Sequence, residues 1–348
     1  MAEFIDLDGS YGEGGGSLVR VALALSCLTQ KPFKVNGIRK GRKQPGLKSQ
    51  HLYGIKALKR ICNAKSKGDF LGSTELEFIP GSIGAKDMVI DIGTAGSITL
   101  VLQSVLLPLI FSGGKSKLEI IGGTDTKWSP QLDYTREVFL SYIKDFADIK
   151  IELIKRGYYP KGNGKISLII NSKTRDYRSS KISKFNLAER GKILKIGGCS
   201  HASDELKKMS VAERQAESAE KLIRKEYSIN PEMKIEYCQS DSTGSGISLW
   251  AIFSNGCIVG SDCLGEKGKR SELVGEDAAK NIIKELGSGA VVDRNIADQI
   301  LPYLAIAKGS IKTSEITQHC RTNMYVIEKF MGKIFEVDEI KKTITIVN

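Results

Sequence analysis

The feature that most constrains the fold is an order of strands and helices that recurs along the chain. Apolar periodicity predicts a strand at 4–8, a helix at 18–28, a strand at 33–39, a helix at 46–63 and two further strands before residue 93. The same order, βαβαββ, returns from residue 88 and again from residue 290. Repetition of one supersecondary unit predicts a body built from three similar units.

The spacing of these units indicates an insertion. The first apolar helix starts near Ser17 and its counterpart near Ser97, so a third is expected near residue 177, but it occurs near 296. An excess of this size can hold a small α/β module. We therefore predict an α/β or α+β fold, with a large domain of three units at 1–182 and 276–348 and an inserted small domain at 183–275. The helix at 272–286 is expected to return to the large domain.

Composition restricts the class of protein. The chain of 348 residues is 41% hydrophobic and 26% charged, which is ordinary for a folded globular protein. Its net charge of +12 and pI near 9.2 suit a polyanionic partner, although a lysine-rich proteome explains them equally well. Seven scattered cysteines without a CxxC pair argue against structural zinc. No secretory signal and no membrane-spanning stretch is recognisable, so we expect a location in the reducing cytoplasm.

A glycine-rich loop lies between the first strand and the first helix. It contains Glu13 between Gly12 and the run Gly14, Gly15 and Gly16. Unpaired backbone N–H groups at a helix start bind phosphate, and Glu13 is suited to a divalent cation that bridges phosphates. Neither the Walker A motif nor the dinucleotide fingerprint fits the spacing. A plain structural turn remains the alternative.

Two further segments carry candidate chemistry. Five basic residues fall within ten positions, at Arg39, Lys40, Arg42, Lys43 and Lys48. One guanidinium group can bind two phosphate oxygens at once, which suits a phosphate site. A solvated run of charges is the simpler alternative. His319 lies where a strand gives way to the last long helix, close to Arg321. A neutral imidazole there suits a nucleophile or base, although a histidine satisfied by backbone at a helix start is the commoner case.

Other residues receive a structural interpretation. We expect His201 to be a surface or capping residue of the insert. Trp128, Tyr134 and Tyr303 are candidates for stacking on a base, but scattered aromatics more often belong to a core.

Six segments, in order, resemble motifs of the RNA 3′-terminal phosphate cyclases: DGSYGEGGGSLVR, IRKGRKQPGLKSQH, GTAGSITLVLQ, GGTDTKWSP, ADQILPYLAIA and TQHCRTN. The resemblance spans nearly the whole chain. It implies three βαβαββ units with a thioredoxin-like insert. It also implies ATP-dependent conversion of an RNA 3′-phosphate into a 2′,3′-cyclic phosphodiester through a histidine–AMP intermediate.

The resemblance implies a role for each matching residue. His319 corresponds to the nucleophile that takes AMP from ATP, with Arg20 and Arg42 as further catalytic residues. The nucleotide pocket corresponds to Gln103, Pro130, Asn295, Asp298 and Gln299. The RNA phosphate corresponds to Arg39, Arg42, Gln50, Gly14 and Gly15, and Glu13 to a site for Mg²⁺ or Mn²⁺. The implied partners are ATP and RNA with a 3′-phosphate end, with no membrane; a monomer and a homodimer are both compatible with the sequence.

Two positions depart from the family pattern. Ser17 stands where many members have glutamine, and Asn295 stands where an aromatic residue often stacks on adenine.

Three alternative functions remain open: a non-catalytic cyclase-like protein of ribosome assembly, an enolpyruvyl transferase and a plain RNA-binding protein. Retention of His319 argues against the first, and the absence of a six-unit architecture argues against the second. Consumption of ATP would distinguish a cyclase from a plain RNA-binding protein.

Overall fold

The structure is a computed structural model that describes residues 3–179 and 182–347. Within those residues the strands form four sheets of four strands each. The first sheet and its helices comprise β1 (Ile5–Asp8), α1 (Ser17–Thr29), β2 (Phe33–Asn36), α2 (Ser49–Ile61), β3 (Lys65–Lys67) and β4 (Glu75–Ile79). Its strand order is β1-β2-β4-β3, with β1 parallel to β2 and the other neighbours antiparallel. The first unit therefore has the order βαβαββ, but its last two strands are β3 and β4, whereas the sequence predicts strands at 74–81 and 88–93.

The second sheet repeats this topology. Its elements are β5 (Asp87–Asp91), α3 (Ile98–Ile110), β6 (Lys115–Gly122), α4 (Leu132–Tyr134), a π-helical turn (Thr135–Phe139), α5 (Leu140–Ile143), β7 (Ala147–Lys155) and β8 (Gly164–Ser172). The order is β5-β6-β8-β7, again with the first pair parallel. From the sequence, the strand that begins at residue 88 could belong to both the first and the second unit. β5 pairs only with β6, so it belongs to the second unit.

The third sheet shares the topology but is interrupted by a module. Its first strand, β9 (Phe185–Leu187), precedes a segment of β10 (Ile193–Ser203), α6 (Val211–Tyr227), β11 (Glu232–Cys238), β12 (Ser245–Phe253), β13 (Ile258–Leu264) and α7 (Ser271–Gly287). The chain then resumes with α8 (Arg294–Ala307), β14 (Gly309–Lys312), α9 (Gln318–Met331), β15 (Phe335–Asp338) and β16 (Thr343–Ile346). β9 pairs in parallel with β14, in the order β15-β16-β14-β9. The segment 290–295 was expected to supply this first strand, but it contributes only the bridge between Val292 and Thr313.

The interrupting segment has its own core. The fourth sheet has the order β11-β10-β12-β13, and apolar side chains of α6 and α7 pack with it. The expectation that the helix at 272–286 returns to the large domain is wrong, because Val274, Ala278 and Ile282 lie in this small core. The boundary of 183–275 stays a prediction. We propose that the small module instead comprises 193–287, since β9 pairs with the third sheet and α7 packs with the fourth.

Two nearly all-buried helices form the centre of the large core. α1 and α3 are apolar along almost their whole length, and they pack against each other and against α2 and α9. Burial on every side explains why neither shows a clean apolar stripe. Their N-terminal ends therefore meet elements from all three units at one place.

In the part of the chain described here, no helix is both long and apolar enough to cross a membrane. All seven cysteines lie within it, and none forms a disulfide.

Candidate active site

The glycine-rich loop packs tightly against α9. Gly12 has φ +64°, and a Cβ there would overlap the hydroxyl of Thr322 on α9. Tyr11 stacks on Tyr325 of the same helix, with ring centroids 4.0 Å apart. A glycine is needed at position 12 because other residues rarely adopt this conformation and have no room here. The loop and α9 are thereby held as one unit.

The contact that this packing creates joins Glu13 to His319. His319 lies in the first turn of α9, whose N-cap Thr317 accepts a hydrogen bond from the backbone N–H of Cys320 at 3.2 Å. Nδ1 of His319 lies 2.8 Å from Oε1 of Glu13. The hydrogen bond with Glu13 raises the pKa of His319, although burial opposes it. Because the contact uses Nδ1, Nε2 is the ring nitrogen left to react.

Glu13 also contacts the basic segment. Its Oε2 lies 3.2 Å from Nη2 of Arg42. Burial tends to raise the pKa of Glu13, but the hydrogen bond with His319 and the charges of His319 and Arg42 outweigh it and lower the pKa. A Cβ on Gly15 would overlap the Glu13 carboxylate. The glycine run therefore leaves space for an ionised acid between His319 and Arg42.

Arg20 connects all three units. It is buried in the first turn of α1, and its Nε donates to Oε1 of Gln103 on α3 at 2.8 Å. Nε2 of Gln103 donates to Oε1 of Gln299 on α8 at 3.3 Å, and Gln299 donates to the carbonyl of Asn295 at 2.7 Å. Burial lowers the pKa of Arg20 to about 10, so the guanidinium stays charged at neutral pH. A fixed positive charge therefore lies where the three units meet.

His51 completes this cluster, and sequence reasoning gave it no role. Its Nδ1 accepts the backbone N–H of Lys48 at 3.0 Å, and its Nε2 lies 3.4 Å from Nη1 of Arg20. Burial lowers the pKa of His51 well below the usual value, and the charge of Arg20 lowers it further. In the neutral ring the proton is therefore on Nε2, beside another donor. Two donors that converge without an acceptor suit an anion.

The chain is similar to known proteins over nearly its whole length. A model of the family "RNA 3′-terminal phosphate cyclase" matches residues 11–337. The chain is 44% identical to the RNA 3′-terminal phosphate cyclase of Thermococcus gammatolerans, covering 97% of this chain and 95% of the relative. It is 42% identical to that of Archaeoglobus fulgidus, covering 96% and 98%. It is 45% identical to that of Sulfurisphaera tokodaii, covering 94% of each.

This chain belongs to the RNA 3′-terminal phosphate cyclase family. The resemblance seen in the sequence is therefore confirmed. The family consists of ATP-dependent, ligase-like enzymes that act in RNA processing.

The basic segment lies beside Arg20. Arg39 has φ +56°, and its Nη1 donates to the carbonyls of Gln44 at 2.7 Å and Gly46 at 3.1 Å. Its charge reinforces the effect of burial in lowering the pKa of Arg20. Gln50 is half-buried in the first turn of α2, directly before His51. This cyclase-family chain thus brings the predicted phosphate-binding segment next to Arg20.

α8 carries three of the predicted nucleotide-pocket residues. Asp293 caps it, with Oδ1 accepting from the backbone N–H groups of Asn295 and Ile296 at 3.0 Å each. Asn323 on α9 donates to the carboxylate of Asp298 at 3.3 Å. Burial raises the pKa of Asp298 to about 6, although the positive charges of His319 and Arg20 oppose it.

Pro130 approaches the same cluster from the second unit. Its carbonyl accepts the hydroxyl of Thr99 at 2.9 Å. Thr99 lies on α3 one turn before Gln103, so Pro130, Gln103 and the α8 residues converge on one region.

The expectation for His201 is wrong. It is fully buried, with Nδ1 2.8 Å from the hydroxyl of Tyr158 and Nε2 2.9 Å from Oε1 of Gln131. Burial lowers its pKa to about 4, so it is a neutral member of the contact between the small module and the second unit. Tyr134 and Tyr303 are core residues, whereas Trp128 is 95% exposed.

A cation site built by the protein alone is absent from the described residues, where no group of three or more histidine, cysteine or acidic side chains could hold a metal ion. Glu13 supplies one ionised carboxylate, and its Oε1 is buried. Mg²⁺ commonly uses one or two carboxylates together with substrate phosphates. The site therefore fits a cation shared with a phosphate ligand rather than one enclosed by protein.

Proposed function

We propose that this enzyme converts RNA 3′-phosphate ends into 2′,3′-cyclic phosphodiesters with ATP, through AMP bound covalently to His319. The observation that carries the proposal is the contact of Nδ1 of His319 with Glu13, which leaves Nε2 as the free ring nitrogen in a site that the positive charge of Arg20 reaches. The names of the relatives, at 39 to 45% identity, support the same reaction.

In the first step Nε2 of His319 attacks the α-phosphorus of ATP. The N–P bond forms, the P–O bond to pyrophosphate breaks, and the positive charge that develops on the imidazole is stabilised by the Glu13 carboxylate. Covalent catalysis of this kind divides one difficult displacement into easier ones. Glu13 also holds the proton on Nδ1, so the lone pair stays on Nε2.

In the second step an oxygen of the RNA 3′-phosphate attacks the phosphorus of the histidine-bound AMP. The N–P bond breaks, and AMP becomes linked to the RNA phosphate. In the third step the neighbouring ribose 2′-OH attacks the 3′-phosphorus, and AMP leaves. We assign Arg20, Arg42 and His51 to the transferring phosphates, since fixed donors stabilise charge as it develops. Arg39, Gln50, Gly14 and Gly15 would hold the RNA phosphate.

The nucleotide would lie between the second and third units. We assign Pro130, Gln103, Asn295, Asp298 and Gln299 to this pocket because their elements converge beside His319. The Asp298 carboxylate would orient the ribose or the histidine. With Asn295 at a position where relatives often have an aromatic ring, adenine would lack one stacking partner.

Glu13 would hold Mg²⁺ or Mn²⁺ together with the nucleotide phosphates, and such a cation would neutralise phosphate charge. Binding of that cation would use Oε2 and release Arg42, while Oε1 stays with Nδ1 of His319.

The test is conversion of a single-stranded RNA with a labelled 3′-phosphate into a phosphatase-resistant end that requires ATP. An RNA with a 2′-deoxy terminal nucleotide should accumulate as the AMP adduct, because it lacks the attacking hydroxyl. Failure of the ribose substrate to become resistant, in folded enzyme with ATP and either cation, would contradict the proposal. A non-catalytic assembly protein would give that result.

A further inference from the structure

Trp128 is the most exposed large apolar side chain in the described part of the molecule. It is 95% exposed and has φ +63°. Burial normally stabilises tryptophan, and a positive φ is strained for a bulky residue. Residues kept in such conformations often serve a ligand.

The loop that presents Trp128 is otherwise firmly held. Residues 122–126 are buried, and Thr124 donates its backbone N–H to the carbonyl of Gly157 at 2.9 Å. The hydroxyl of Ser129 donates to the carbonyl of Thr126 at 2.9 Å. The tip at Lys127 and Trp128 is therefore a rigid projection, and its exposure does not come from a loose chain.

A second exposed aromatic lies on the neighbouring loop. Tyr159 is 76% exposed, two residues after Gly157, whose N–H donates to the hydroxyl of Thr124 at 2.9 Å. Lys161 follows Tyr159 by two residues, and Lys127, which precedes Trp128, pairs with Glu266 at 3.1 Å. Aromatic faces combined with cations are the surface on which single-stranded nucleic acid binds independently of sequence.

These loops border the candidate active site. Pro130, two residues after Trp128, is bonded to Thr99 one turn before Gln103, which holds Arg20. Two residues of extended chain span about 7 Å and one helical turn about 5 Å. Trp128 therefore lies within a few nucleotides of the place proposed for the RNA 3′-phosphate.

We propose that Trp128 and Tyr159 form a stacking platform for bases of single-stranded RNA upstream of its 3′-phosphate end. This inference rests on the proposed function. A ring that is 95% exposed lies outside any enclosed pocket, so only a ligand that extends beyond the pocket reaches it. RNA extends away from its 3′ end, whereas AMP attached to His319 is a single nucleotide. Stacking tolerates every base, as an enzyme that recognises an end rather than a sequence requires.

The experiment uses the full chain with Trp250→Phe, because Trp128 is then its only tryptophan. Fluorescence is titrated without ATP, using single-stranded RNA with a 3′-phosphate. We expect quenching of Trp128 by this RNA and little quenching by the same RNA with abasic upstream positions. Equal quenching by abasic RNA would overturn stacking. Quenching by ATP alone at similar concentrations would assign the ring to adenine and also overturn the proposal.

Variants give a second readout, by fluorescence anisotropy of labelled RNA. Trp128→Ala should weaken RNA binding by roughly 5- to 100-fold, and Tyr159→Ala should also weaken it. Trp128→Phe should restore most of the affinity. Ile340→Ala, which removes a side chain that is 94% exposed elsewhere, is the matched control. Unchanged affinity in Trp128→Ala would overturn the platform.

The two proposals fail in different ways. Base-dependent quenching without any cyclic product would contradict the cyclase function and leave the platform intact. Cyclic product with unchanged RNA affinity in Trp128→Ala would do the reverse.

Discussion

Nδ1 of His319 lies 2.8 Å from Oε1 of Glu13, although the two residues stand near opposite ends of the chain. The glycine loop brings the acid to this place, and the first turn of α9 brings the histidine. The pairing defines which ring nitrogen is free, and it raises the pKa of His319.

Glu13 should control the pH dependence of adenylylation. The neutral imidazole reacts, so the rate falls as pH drops through a His319 pKa that lies above 6.5. Glu13→Gln removes the negative charge, which lowers that pKa and moves the acid limb to lower pH. The maximal rate should fall about 100-fold, because the developing charge loses its partner. Label incorporation from α-labelled ATP between pH 5 and 9 measures both.

The control for this variant is Glu339→Gln. It removes a carboxylate that pairs with Arg321, which lies on α9 like His319. Its acid limb should stay in place. An acid limb in Glu13→Gln at the wild-type position would mean that Glu13 does not set the protonation of His319.

Gly12→Ala should reduce adenylylation at least tenfold. The left-handed conformation costs about 1–2 kcal/mol for a residue with a Cβ, and the new methyl group overlaps the hydroxyl of Thr322. Gly41→Ala is the control, since a Cβ there meets no atom within 4 Å. The double variant Gly12→Ala with Thr322→Ala should recover part of the rate, because it removes the overlap and leaves the backbone strain. Wild-type activity in Gly12→Ala would show that close packing on α9 is not required.

Arg20→Lys should lower kcat/KM for ATP by about 10- to 100-fold while the protein remains folded. The guanidinium donates to Gln103 through Nε and faces His51 through Nη1, and a single ammonium group cannot occupy both positions. Gln103→Leu should have a smaller effect in the same direction, since it keeps the charge but leaves a buried donor unpaired. Thermal unfolding checks folding in both variants. Wild-type kinetics in Arg20→Lys would contradict the assignment of Arg20 to phosphate.

Arg156→Met should destabilise the contact between the second unit and the small module. The buried guanidinium lies 3.2 Å from Asp125, 2.7 Å from Asp133 and 2.8 Å from Glu236. Removing it leaves buried carboxylates uncompensated, at a cost of about 3–5 kcal/mol. Arg156 lowers the pKa values of Asp133 and Glu236, so the deficit, measured by urea unfolding, should shrink as the pH falls from 7 towards 4 and these two acids become protonated. Lys155→Met, which breaks an exposed pair with Asp241, should cost less than about 1 kcal/mol.

Long apolar periodicity allowed most of the fold to be predicted from sequence. α1, α3 and α8 were predicted within a few residues because their apolar side chains alone specify a helix. Two short strands could not be found this way. β3 has the sequence KSK and β9 the sequence FNL, and both exist because a neighbouring strand pairs with them. Pairing with a distant strand leaves no local signal in three residues.

The allocation of helices to cores was also beyond the sequence. α7 has an apolar face that predicts a helix, but that face fits either domain, and only the structure shows it against α6. His201 was misassigned for a similar reason. A histidine in a short polar stretch is expected to be exposed, but contacts with Tyr158 and Gln131 of the second unit bury it.

The resemblance to the family predicts more of the candidate active site than the separate residue patterns do. The sequence supplies the glycine loop, the basic segment and His319 as separate candidates, and the family motifs suggest one site. The Arg20–Gln103–Gln299 chain depends on hydrogen bonds between units, and the protonation of His51 depends on the backbone N–H of Lys48 at the start of its own helix. The resemblance assigns phosphate binding to Gln50, whereas in the structure the adjacent His51 is the side chain that faces Arg20.

Covalent labelling of His319 tests the central claim most directly. Purified protein is incubated with α-labelled ATP and Mg²⁺ or Mn²⁺ in the absence of RNA, then separated under denaturing conditions. We predict a labelled, acid-labile protein band that is lost in His319→Ala and kept in Gln318→Ala, the exposed neighbour. Addition of 3′-phosphorylated RNA should discharge the band and release AMP. A band that persists in His319→Ala, or no band in folded wild-type protein, would contradict the account.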